Sequence, residues 1–146
     1  MGTYFSEFEQ GQVFTSPGRT VTEADIVNFA GLSWDTNPLH TDETFAAGTP
    51  FKRRVAHGML SVAISTGLGQ LLGIFQGTTL ALMNISTDFK APVFPGDTIR
   101  LRLEVASLKA SSRGGRGTVV FDAQILNERD EAVTGGSWTV LFADRA

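Results

Sequence analysis

The strongest constraint on the fold is a two-residue alternation that runs through the second half of the chain. In "TIRLRLEVASLK", Ile99, Leu101, Leu103 and Val105 alternate with Arg100, Arg102 and Glu104. An extended strand sends successive side chains to opposite faces, so this pattern predicts a strand with one apolar face and one face in water. "GTVVFDAQIL" repeats it through Val119, Phe121, Ala123 and Ile125. "AVTGGSWTVLFA" supplies a further strand, in which Gly135 and Gly136 point to a bulge or a close backbone approach. Between these runs, "SSRGGRG" and "NERDEA" have the composition of hairpin connections. Upstream, "TLALMNISTDFKAPV" reads as the preceding strand, ending at Pro92, and "FPGDT" as the turn that follows it.

The first half has a different period. "TVTEADIVNFAGLS" reads as a short helix capped by Thr20 or Thr22, with Glu23 and Asp25 near the positive end of its dipole. Ile26, Phe29 and Ala30 form its apolar stripe, and Gly31 is the expected terminator. "HGMLSVAISTGLGQLLGIF" is apolar on more than one face, so other structure should wrap it. A long antiparallel sheet after one buried helix predicts an α+β domain whose curved sheet encloses that helix, most economically the hotdog fold. One such domain accounts for residues 1–146. Its edge strands would pair readily with a second copy, so a homodimer or higher homo-oligomer is expected.

Composition narrows the function classes. The net charge of −3 provides no general attraction to nucleic acid or an anionic membrane, and the aromatic count comes mainly from phenylalanines that are not interleaved with basic residues. The apolar run from Met59 to Phe75 is broken by Gly67, Gly69, Gly73 and polar residues, which suits a core helix better than a membrane span. With no cysteine, the chain has no thiol nucleophile, thiolate metal ligand or disulfide. "MGTYFSEFEQG" lacks the basic and apolar regions of a secretory leader, and the expected location is the cytoplasm. A Walker loop, a dinucleotide-binding glycine fingerprint and a GxSxG elbow are all missing.

One cluster stands out chemically. "DTNPLH" places Asp35, Asn37, Pro38 and His40 within six positions. These residue types suit a turn, with Asn37 capping a helix that begins at Pro38. They also suit a site: five residues apart, Asp35 and His40 cannot face each other along a regular element, but a bend brings them together. An aspartate and a histidine sharing one water make a general acid–base pair. One Asp, one Asn and one His without HxH or HExxH spacing give too few firm ligands for a metal, so neither metal nor cofactor is expected. In "RRVAHGML", His57 reads as a buried, hydrogen-bonded residue at a helix start. The Gly58 amide at that start is a candidate oxyanion donor, with no side chain to keep a ligand away. "FKRR", with Lys52, Arg53 and Arg54, is either solvated surface or a contact for phosphates.

Together, "GLSWDTNPLHTDETFA", "RRVAHGML" and "FKAPVFPGDTI" resemble the MaoC-like dehydratase family, which includes (R)-specific enoyl-CoA hydratases. The resemblance runs from about Val21 to Phe142. It implies a hotdog fold, usually dimeric, and reversible hydration of a trans-2-enoyl-CoA to an (R)-3-hydroxyacyl-CoA. By the same resemblance, Asp35 and His40 are the catalytic pair, Asn37 supports them by hydrogen bonding, and the Gly58 amide holds the thioester oxygen. Thr66, with Ser65 beside it, stands where the family often has a serine that orients the pair. Trp34 is a further departure, since small or acidic residues are commoner there. Branched or dicarboxylic acyl-CoA substrates, acyl-carrier-protein thioesters, thioester cleavage and non-catalytic acyl binding are the alternatives the resemblance leaves.

Overall fold

The computed structural model describes residues 1–145. The chain opens with a single 3-10 turn at Phe5–Glu7, followed by the short strands β1 (Val13–Thr15) and β2 (Arg19–Thr20). Four helices follow: α1 (Glu23–Ser33), α2 (Pro38–Thr41), α3 (Glu43–Ala47) and α4 (Gly58–Leu71). The remaining strands are β3 (Thr79–Phe89), β4 (Thr98–Ala110), β5 (Arg116–Leu126) and β6 (Ala132–Ala143). They form an antiparallel sheet in the order β1-β4-β5-β6-β3, with β2 also pairing along β4.

The alternation in β4 and β5 sets the inner face of this sheet. Ile99, Leu101, Leu103, Val105, Val119, Phe121 and Ile125 are all buried. They share one core with Trp138, Val140 and Phe142 of β6 and with Leu60, Ile64 and Leu68 of α4. The sheet therefore curls around α4, the hotdog arrangement, in which a helix apolar on several sides finds partners on several sides. Among the described residues, no helix is long and apolar enough to cross a membrane.

Two local expectations resolve in instructive ways. Gly136 marks a close approach and not a bulge: a Cβ there would overlap the backbone of Ser86 on β3. The breaks in strand register lie elsewhere, within β3, in β4 between Val105 and Ser107, and near the end of β5. Gly31 does not end α1, which runs on to Ser33 and stops when Trp34 turns left-handed at φ 63°. The start of α1 is capped by Thr22, whose hydroxyl accepts from the Asp25 amide at 3.2 Å while the Asp25 carboxylate takes the Thr22 amide at 2.9 Å.

Candidate active site

The bend from Ser33 to Thr41 is held by its own short polar side chains. Ser33 Oγ donates to Phe29 O at 2.7 Å and accepts the Asp35 amide at 3.1 Å. Asp35 Oδ1 accepts the Asn37 amide at 3.3 Å, and Asn37 Oδ1 caps α2 by accepting the Leu39 amide at 3.0 Å. Pro38 occupies the first position of α2, where a missing N–H costs nothing. The turn and the site are thus one structure. Asn37 supports it twice, through its backbone to the Asp35 carboxylate and through its side chain to the helix that carries His40.

His40 is oriented from its far side. Its Nδ1 lies 2.7 Å from Val55 O. A carbonyl only accepts, so Nδ1 carries the proton and Nε2 keeps a free lone pair. A carboxylate oxygen of Asp35 and a ring nitrogen each of His40 and His57 all lie within 4.8 Å of one another. One water making two hydrogen bonds of about 2.8 Å can bridge such a separation. The same closeness would also suit a metal ion, for which three protein donors and a water are a common set. Of the four ring nitrogens, His40 Nδ1 and His57 Nε2 are engaged by backbone carbonyls, which leaves His40 Nε2 and His57 Nδ1 for any further partner.

These groups open into a cavity of about 490 Å³, within the usual range for small-molecule sites. Phe51, Val55, Phe89, Pro92 and Val93 form much of its apolar wall, with Asp35, His40, His57 and Gly58 as convergent polar groups. Gly58 begins α4, and its N–H belongs to the first turn, where no intrahelical acceptor exists. A side chain there would displace Phe89: a Cβ would stand 2.5 Å from its Cε1. The glycine therefore serves the close packing of Phe89 beside the cavity that it lines.

Other residues of interest lie apart from this cavity. Thr66 is exposed, donates to Ala63 O at 2.7 Å, and lines a smaller cavity of about 180 Å³ with Phe75, Leu82 and Trp138. Ser65 is buried and donates to Val62 O at 2.6 Å. Ser61, one turn into α4 and 2% exposed, is the helix serine that reaches the main cavity. The indole of Trp34 is 86% exposed and packs outside the cavity.

The basic run divides. Arg54 binds Glu23 at 2.5 Å and Glu43 at 2.6 Å, tying α1 to α3, and these bonds, Glu43 first, hold its guanidinium above its ordinary range. Arg53 donates to Pro95 O at 2.8 Å and lies over the Phe94 ring. Lys52 is exposed and makes no ion pair among the described residues. The neighbour of Asp35 and His40 that sequence reading understates is His57, whose only advance signals are its place before Gly58 and the scarcity of histidine. Lys90 also lines the cavity, its stem lying across Gly135.

Comparison with known proteins bears on the family and the fold. A family model described as MaoC like domain matches residues 6–125. An (R)-specific enoyl-CoA hydratase from Rhodospirillum rubrum is 46% identical over 106 residues, which are 72% of this chain and 71% of that protein. A 3-hydroxybutyryl-CoA dehydratase from Methylorubrum extorquens is 36% identical over 77% of this chain and 70% of its own length. Among solved structures, the R-hydratase PhaJ1 from Pseudomonas aeruginosa superposes with a TM-score of 0.80 at 31% identity, covering 99% of this chain and 88% of that one. A match of this extent, on a sheet curled around a helix that starts at the site, establishes that the chain belongs to the MaoC-like domain family.

Proposed function

We propose that the chain catalyses the reversible hydration of a trans-2-enoyl-CoA to an (R)-3-hydroxyacyl-CoA. The observation that carries this reading is the convergence of the Asp35 carboxylate and His40 on one point of the cavity that Gly58 also lines. In the forward direction, Asp35 takes a proton from a water that His40 Nε2 also holds. The oxygen adds to C3 of the enoyl chain, and a proton is delivered to C2 on the same face. Net H and OH are added across the double bond, and the pair returns to its starting protonation. The Gly58 N–H, at the positive end of α4, donates to the thioester oxygen and stabilises the negative charge that develops on it. No part of this sequence requires a metal or a redox cofactor.

Relatives named as hydratases and dehydratases of CoA thioesters support the reaction class. With Arg53 and Arg54 engaged within the chain, Lys52, next to the cavity residue Phe51, is left as the contact for carrier phosphates. The site is proposed to operate in the cytoplasm and in a homodimer. The test is a panel of enoyl-CoA and enoyl-acyl-carrier-protein thioesters, straight, branched and dicarboxylic, followed by enoyl absorbance, thiol release and product chirality. Loss of absorbance without thiol, yielding the (R) product, is expected. Thiol release without hydration would make the chain a thioesterase instead.

A further inference from the structure

We propose that His57 is a positioning residue for the water-activating pair, gripping the backbone of Asp35 through Nε2–H and carrying the His40 ring on its face. The inference rests on the hydration reading above and deepens it. Asp35 and His40 belong to an exposed bend, whereas His57 is 2% exposed at the start of the core helix α4. This one ring touches both partners. Its Nε2 lies 2.8 Å from Asp35 O, and its centroid lies 3.8 Å from that of His40 with the planes 27° apart. Phe29 closes the other side, edge-on at 5.0 Å and 64°. The two functional residues of a surface bend are thereby referenced to the protein interior by a single side chain.

The hydrogen-bond pattern argues that the imidazole does more than fill space. Because Asp35 O can only accept, His57 Nε2 carries a proton. The Nδ1 of the same ring is buried without any partner. A phenyl ring would place no unpartnered nitrogen in the interior, so packing alone is better served by another residue type. What the imidazole adds is the N–H on Asp35 O. That bond acts where it is needed, directly after Trp34 turns left-handed and sets the direction of the bend. The stacked face, in turn, fixes the plane of His40, whose Nδ1–H on Val55 O sets its rotation. The two histidines therefore carry opposite tautomers, His40 protonated on Nδ1 and His57 on Nε2.

These are the only histidines in the chain, so the tautomers can be read in the wild-type protein by long-range ¹H–¹⁵N correlation. Opposite tautomers with ring-to-ring contacts are expected; a bare Nε2 on His57 would overturn the proposal. Two substitutions then separate the two contacts. His57→Phe keeps a ring to stack on and loses the grip, while His57→Gln keeps a donor and loses the stack. For crotonyl-CoA, His57→Phe is expected to lower kcat about 10–100-fold with KM held within about threefold, since a small misplacement acts on the reaction more than on binding. His57→Gln should recover part of that loss. A folded His57→Phe protein with wild-type kcat would refute the role, and if both variants misfold the wild-type tautomers decide. The controls keep two failures apart. If wild-type protein hydrates no enoyl-CoA, the hydratase reading falls, and the tautomers alone uphold or overturn the grip. If Asp35→Asn is inactive while His57→Phe is fully active, only the present inference falls.

Discussion

At the scale of single residues, the site depends on small devices that accumulate within a few positions. Trp34 adopts a left-handed conformation that usually goes to glycine, and its exposed indole gains little in return. Replacing it by glycine should relieve about 1 kcal/mol of backbone strain, partly offset by the freer unfolded chain. The expected result is a melting temperature unchanged or raised by roughly 2–4 °C, measured by calorimetry. Much of this scale was legible in advance. "DTNPLH" announces a bend and a cap because each of those is a local property of its residue types. Trp34 as the terminator of α1 was not, since helix-ending by a bulky residue contradicts its own propensity and is imposed by the bend. Nor was the grip of His57 on Asp35, because a contact between residues 22 positions apart has no local signature.

At the scale of elements, the alternation of β4 and β5 translates directly into the buried face of the sheet. The apolar α4 translates as directly into the helix that the sheet encloses. What periodicity does not convey is how closely two elements approach. Gly136 is the clearest case: only the absence of a side chain lets β6 run against the Ser86 backbone of β3. Gly136→Ala must push these strands apart. A loss of about 1–3 kcal/mol is expected from chemical denaturation, as for other overpacked interiors. The serine positions of α4 carry the same lesson. Ser61 and Ser65 lie one turn apart on the same side of the helix and Thr66 on another, so the path of the surrounding sheet, and not the side alone, decides which reaches the cavity.

At the scale of the whole molecule, one edge of the sheet remains to be accounted for. β3 ends the strand order and exposes Leu80, Leu82 and Met83 along an unpaired edge. Light scattering should therefore report twice the mass of one chain, and Leu80→Glu should shift that mass towards the monomer. The proposed turnover is likewise a property of the folded molecule, since the mechanism proposed above joins a bend, a core histidine and a helix start. The most direct measurement is the rate of crotonyl-CoA hydration by Asp35→Asn beside the wild type, with circular dichroism to establish equal folding. The amide preserves the shape of the side chain but cannot take the proton from water, and general acid–base catalysis of this kind contributes about 10²–10⁴-fold. A loss within that range in a folded protein is the predicted result; a rate near that of the wild type would contradict the account.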